Sequence, residues 1–361
     1  MPTKAMIRAR AAEIQAFFEE AGATPVETSL LQPAEVLLDL YGEDIRGRAY
    51  VTSDTLRGEQ MLRPDFTVPV VQMHMDHGAE PARYTYSGQV FRRQDEDPSR
   101  DNEYMQVGYE VFERENPASS DAEVFALMQT VLAPLDLRAA TGDIGILKAA
   151  VAGLETTERR KGALLRHIWR PRRFRQLLDR FSGRTEMPAT RAALIATPNP
   201  MDTDFPMIGL RSEQEIAARI AALKEDAETP PLAAGQVALI EALLGVREKL
   251  PFALEHLRDI AVDMPAITEA VFTLKDRIEA LASRGVDVDN LEFEASYGRT
   301  SMEYYDGFVF GFYAPGRADL PPIATGGRYD ALTRVLGQGR EIPAVGGVIR
   351  PGLVLKLEGA L

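Results

Sequence analysis

The chain has no cysteine, one tryptophan and four histidines in 361 residues. Lack of cysteine excludes disulfides, thiolate metal sites and a cysteine nucleophile, and fits a reducing compartment. No apolar run reaches the roughly 18 residues that a membrane span needs, and the N-terminus lacks the charged-then-apolar pattern of a signal peptide. A cytoplasmic protein with no membrane attachment is expected. Positive charge is also short: 41 Lys and Arg against 54 Asp and Glu leave a net −13, which argues against a dedicated nucleic-acid binder. His74 and His77 flank Asp76 on a predicted helix but have no third ligand, so no metal site is expected, and no cofactor.

What is present is an ordinary globular composition, 45% hydrophobic and 26% charged, with a length that suggests about two domains or one large core with an insertion. Thr3 caps a predicted helix whose apolar positions Ile7, Ala11, Ile14 and Phe18 recur at helical spacing, and Gly22 stops it. Strands are predicted near residues 49–52 and 60–62. Two longer strands, Tyr84 to Arg93 and Met105 to Phe112, flank a charged loop. A helix follows from Asp121 to Leu132. From about Asp143 to Arg284 the pattern is helical, with Ser212 and Glu215 forming a capping box. Strand patterns return at 291–295, 307–314 and 343–349. The expected fold is α+β: a mostly antiparallel sheet flanked by helices, carrying a helical insertion, with residues 1–140 and 288–361 as the sheet domain and 141–287 as the insertion.

Four segments carry candidate chemistry. In Arg63-Pro64-Asp65-Phe66-Thr67 a carboxylate and a hydroxyl two positions apart suit an ammonium group, or cap the helix that follows. In the second long strand, period-2 geometry puts Gln106, Gly108 and Glu110 on one face, where the glycine would leave room for a small polar ligand; a solvated hairpin face is the alternative. In Tyr304-Tyr305-Asp306-Gly307, extended backbone would turn at most one tyrosine into a pocket unless the backbone is irregular. Gly326-Gly327-Arg328 reads as a Gly-Gly turn that opens a helix running to Leu336.

In this order the segments resemble the catalytic core of histidyl-tRNA synthetase, a class II aminoacyl-tRNA synthetase, over residues 1 to about 135 and 288 to 361. Arg63-Pro64-Asp65-Phe66-Thr67 is similar to the Arg-Pro-Glu/Asp-x-Thr element of that family. Phe91-Arg92 with Gln106-x-Gly108-x-Glu110 resembles motif 2. Met302-Glu303-Tyr304-Tyr305 resembles the Leu-Asp-Tyr-Tyr element, and Gly326-Gly327-Arg328-Tyr329-Asp330 matches Gly-Gly-Arg-Tyr-Asp. The resemblance implies a histidine pocket built from Asp65, Thr67, Arg92, Gln106, Glu110, Tyr304 and Tyr305. Asp65 and Glu110 would pair the α-amino group, with Gln106 and the tyrosines orienting the carboxylate and imidazole.

The departures bear on function. Thr300 stands where the synthetase element has its arginine, and Arg299, one position away, would point to the other side of an extended backbone. In the motif 3 region Arg350 and Pro351 replace small residues, and Leu353 stands at the place of the terminal arginine. Loss of cations from developing phosphate charge costs orders of magnitude in rate. With Leu361 close behind the motif 3 region, no anticodon-binding domain is expected.

This combination resembles the regulatory subunits of short-form ATP phosphoribosyltransferase, the first enzyme of histidine biosynthesis. It implies a non-catalytic self-dimer that joins a short catalytic subunit in a hetero-octamer and takes L-histidine as its feedback effector. An adenylating or histidyl-transferring paralogue that does not act on tRNA is the rival reading. The basic run from Arg159 to Arg175, with Trp169 and Phe174 interleaved, leaves three readings: a solvated helical face, a subunit contact or a tRNA-binding surface.

Overall fold

The computed structural model describes residues 2–41, 45–94, 100–202, 209–299 and 304–359. Its strands are β1 Thr24–Pro25, β2 Leu31–Pro33, β3 Val51–Asp54, β4 Gly58–Leu62, β5 Ala82–Phe91, β6 Glu103–Phe112, β7 Arg138–Asp143, β8 Arg247–Lys249, β9 Glu292–Glu294, β10 Phe308–Tyr313, β11 Ala324–Arg328 and β12 Ala344–Ile349. Among the described residues nine of them form one sheet in the order β1-β5-β6-β12-β11-β10-β7-β9-β8, and β2-β4-β3 form a small separate sheet. The large sheet is antiparallel except where β1 meets β5 and β7 meets β9. The α+β architecture is therefore the expected one.

The sheet is apolar on one face and glycine-rich on the other. Val107, Tyr109 and Val111 of β6 point to the apolar face and are fully buried. Against that face lie the helices Lys4–Glu20 and Pro117–Leu132, with Phe18 5.3 Å from the Tyr109 ring and Phe125 among the phenylalanines of β10. Both helices start as a helix should: Thr3 Oγ1 accepts from the Met6 amide, and Asn116 Oδ1 from that of Ser119. The Ser212 and Glu215 capping box is formed as well.

The stretch expected as the insertion, 141–287, begins inside the sheet, since Thr141, Gly142 and Asp143 close β7; from Ile144 on, the regular elements among its described residues are helices apart from β8, which pairs with β9 at the sheet edge. Its last helix, Thr268–Ser283, packs on Pro117–Leu132 and sends Arg277 between Asp121 and Asp143, 2.7 Å from each. No helix among the described residues is long and apolar enough to cross a membrane.

One local expectation changes. Gly326 and Gly327 do not form a turn: they lie in β11, and the helix begins only at Asp330. A Cβ at Gly326 would overlap the Phe310 ring, and one at Gly327 would press on the Phe308 carbonyl and the Tyr305 ring, so these glycines admit neighbouring aromatics to a strand. His74 is taken up by packing, with its ring stacked 3.9 Å from that of Phe112 and its Nδ1 3.1 Å from the Tyr84 hydroxyl.

Candidate functional site

The glycine-rich face forms a cavity of about 400 Å³ lined by Asp65, Thr67, Arg92, Gln106, Tyr304 and Tyr305, together with Arg100, Tyr313, Thr325, Val348 and Arg350. Pairing of Gly88 with Gln106, of Tyr86 with Gly108, of Gly346 with Glu110 and of Gly327 with Gly346 places those residues on one side of four neighbouring strands. The space over these glycines is taken by Arg63, Tyr86, Glu110 and Tyr305, and the cavity opens beside them.

Asp65 is held by its neighbours. Arg63 donates through Nε to the Gln89 carbonyl at 2.9 Å and through Nη1 to that of Thr28 at 2.6 Å, and its guanidinium lies over the Phe66 ring. Gly88 makes room for that guanidinium. Phe66 in turn stacks on Tyr86 at 4.3 Å, and Arg92 Nε donates to the Pro64 carbonyl at 2.7 Å. The loop from Arg63 to Phe66 is thus fixed at both ends, and the Asp65 carboxylate lies 3.9 Å from Arg92 Nη2. The capping alternative for Thr67 is not realised: the helix Thr67–His77 has no side-chain cap, and the Thr67 hydroxyl donates to Glu110 Oε1 at 3.2 Å.

Glu110 lies behind the cavity and not on its lining. It is 1% exposed, and besides Thr67 its carboxylate accepts from the hydroxyls of Tyr86 at 2.8 Å and Tyr329 at 2.5 Å. Tyr304 donates to Thr67 Oγ1 at 3.3 Å, so a chain of hydroxyls runs from the cavity wall to this carboxylate. A Cβ at Gly346 would overlap the Glu110 carboxylate, which explains why β12 carries glycine there. Gly108 does not leave room for a ligand as expected: the space is filled by the Tyr86 ring.

Burial raises the Glu110 carboxyl from 4.5 to about 7 against the opposing pull of its hydroxyl donors, with Asp65 adding to the rise. The folded chain therefore keeps a proton there up to about pH 7, whereas the unfolded chain loses it near 4.5, and stability falls as pH rises through that window. Glu110→Gln, which imitates the protonated form, should escape this loss. Urea unfolding at a series of pH values is expected to show the variant gaining about 3 kcal/mol on the wild type between acid and pH 8. Parallel curves for the two proteins would refute the assignment.

Gln106 is the opposite case. It is 1% exposed, it lines the cavity, and neither its Nε2 nor its Oε1 has a partner among the described residues. A buried amide without partners costs stability unless something in the cavity completes it. Both tyrosines reach the cavity because Tyr304 and Tyr305 precede β10 in irregular backbone, edge to face with rings 4.9 Å apart. The extended-strand expectation of one inward tyrosine does not apply to them.

Of the residues expected at the site, all but Glu110 line the cavity. Sequence reasoning missed Tyr86 and Tyr329, the partners of Glu110; Tyr86 was visible as the inward position of an alternating strand, and Tyr329 sits inside a quoted motif. Thr300 lies outside the described residues. Arg299 is turned from the cavity into the helical stretch, where its Nε donates to the Ile168 carbonyl at 2.7 Å. Leu353 belongs to the helix Pro351–Glu358 and packs on the core, while Arg350 reaches the cavity and donates to the Pro322 carbonyl.

The profile of the histidyl-tRNA synthetase family matches residues 2–200 and 212–351. The chain is 31% identical over 356 residues to the ATP phosphoribosyltransferase regulatory subunit of Agrobacterium fabrum, covering 93% of each. It is 30% identical over 344 residues to that of Brucella anthropi, covering 89% of each. Among solved structures, an ATP phosphoribosyltransferase regulatory subunit/histidyl-tRNA synthetase from Bacillus halodurans superposes with a TM-score of 0.67 at 22% identity, over 98% of this chain and 79% of the other. A histidyl-tRNA synthetase from Nostoc gives 0.65 at 19% identity, over 99% and 72%.

Proposed function

The chain belongs to the ATP phosphoribosyltransferase regulatory subunits, on a histidyl-tRNA synthetase-like fold, and we propose that it is the non-catalytic partner of a short catalytic subunit, binding L-histidine in the cavity as the feedback effector. The observation that carries the effector is the Gln106 amide, buried with neither polar atom partnered among the described residues, at a cavity that also presents the Asp65 carboxylate, the Thr67 hydroxyl and two tyrosines. A free amino acid has the complementary groups: an ammonium for Asp65, a carboxylate for the Gln106 amide donor, and a flat ring for the tyrosine faces. Recognition without turnover suits an effector, because allostery needs only a difference in binding between two states.

Arg350 supports the non-catalytic part. Its guanidinium is tethered to the Pro322 carbonyl within the cavity, where a nucleotide would need open space. In this reading the protein is a self-dimer within the hetero-octamer, in the cytoplasm. An adenylating paralogue is the second reading, favoured by the arginines Arg92, Arg100 and Arg350 along one cavity, since cations suit phosphate.

One set of measurements separates the two. Histidine at a hundred times its dissociation constant is expected to raise stability by about 2.7 kcal/mol, seen as a higher melting temperature. Co-purification with a short catalytic subunit should raise that subunit's activity, and histidine should lower it. Histidine-dependent pyrophosphate exchange with ATP by the chain alone would establish the adenylating reading in its place.

A further inference from the structure

The basic run from Arg159 to Arg175 divides into two groups. Some of its arginines and their neighbours are paired within the chain: Arg159 with Glu225, Arg160 with Asp226, Arg180 with Asp226 and Arg184 with Glu241. Arg166, Arg172, Arg173 and Arg175 are exposed and make no ion pair among the described residues. They sit at the end of the helix Glu158–Arg166 and on the outer side of Pro171–Phe181, whose inner side buries Phe174, Leu177, Leu178 and Phe181.

Beneath them lies Arg299, 4% exposed, with a guanidinium over the Phe174 ring at 4.8 Å and an Nη2 that has no partner among the described residues. Burial, then Arg175, lowers the Arg299 pKa to about 10, which leaves it charged at neutral pH, and that of His167 is lowered by burial and by Arg173, Arg170 and Arg166. Positive charge is therefore in local surplus on a chain of net −13, and no carboxylate of the described residues relieves it at Arg299.

We propose that this arginine face docks a carboxylate-rich surface of a partner protein. Two observations favour protein over nucleic acid. The interleaved aromatics are engaged by the fold, Phe174 being 1% exposed and the half-buried Trp169 donating its indole N–H to the Tyr305 carbonyl at 3.3 Å, so neither ring stands free for base stacking. The net −13 of the chain also repels a long polyanion, whereas a compact acidic patch meets only the local charge. Assigning the acidic surface to the catalytic subunit rests on the function proposed above. The Trp169 contact puts this face one residue from the cavity wall, next to Tyr305.

The test uses the full chain and the variant R172E/R173E/R175E, whose exposed positions leave the melting curve in place. Trp169 is the sole tryptophan, so its emission reports on this face directly. A short glutamate-rich peptide, the size of a compact acidic patch, is expected to bind the wild type at low salt, shift that emission and lose affinity as salt rises, and to bind the variant at least about tenfold more weakly. Equal binding by the variant, binding that leaves Trp169 silent, or tighter binding of an RNA of matched charge would overturn the docking surface. With a short catalytic subunit, assembly should weaken at least about tenfold in the variant. Assembly unchanged by the charge reversal overturns the surface but not the regulatory function; a wild type that does not assemble at all sinks that function, and the acidic-peptide titration still decides the surface.

Discussion

Replacing Gln106 by leucine should weaken histidine binding at least about a hundredfold while making the unliganded protein more stable. Hydrogen bonds to charged groups contribute about 1.5–3 kcal/mol each, and each 1.4 kcal/mol is about tenfold in affinity, so losing two contacts to a zwitterion gives that range. The stability change has the opposite sign because the amide atoms have no partners to lose among the described residues. An apolar side chain of similar volume removes an unmet polar burden of about 1–3 kcal/mol, worth a few degrees in melting temperature. Calorimetric titration with histidine and thermal unfolding of both proteins check the pair of effects. Unchanged affinity would remove Gln106 from the pocket, and a lower melting temperature would mean that its amide is satisfied within the fold.

The stability gain separates Gln106 from Glu110, although both stand on the same face of β6. Glu110 has Thr67, Tyr86 and Tyr329 as donors, and its truncation to alanine would strand those hydroxyls in a buried space. Loss of histidine binding in such a variant would not distinguish a contact from a collapse of the wall. Glu110→Gln keeps the volume and tests the charge alone, which makes it the informative substitution at that position.

The sequence displayed the strands well, because period-2 alternation in β5 and β6 and the aromatic run of β10 are local patterns that the sheet simply realises. Asp65, Thr67, Arg92 and Gln106 reached the cavity for the same reason: each sits on or beside an element whose direction the pattern sets. Glycines misled in both directions. Gly108 and Gly327 looked like space for a ligand or a turn, yet Tyr86, directly opposite Gly108 on β5, and Tyr305, just before β10, fill them. What a missing side chain admits depends on the facing strand, and register across strands is not written in the local pattern. The depth of Glu110 has the same origin, since only the pairing of β6 with β12 puts Gly346 against it.

The largest expected stability change lies where the helical stretch meets the sheet. Arg277, 2% exposed, donates through Nε to Asp121 Oδ2 and through Nη1 to Asp143 Oδ2, each at 2.7 Å, with its guanidinium 4.7 Å from the centre of the Phe308 ring. Asp121 also accepts from Arg328 at 2.7 Å, so one carboxylate joins two arginines from different parts of the chain. Arg277→Met keeps the length of the stem and removes the charge, leaving Asp143 without its ionic partner in a buried setting. Breaking such a pair from one side costs about 3–5 kcal/mol, because the desolvation of the remaining ion is no longer compensated. Asp143→Asn added to Arg277→Met should return part of that loss. The asparagine keeps the Oδ1 that accepts from the Gly145 amide at 2.7 Å and removes the stranded charge. Urea unfolding of the two single variants and the double variant supplies the coupling energy. If Arg277→Met costs less than about 1 kcal/mol, the network is not holding the helical stretch to the sheet. If the double variant loses the sum of the single losses, the two residues contribute separately despite their contact.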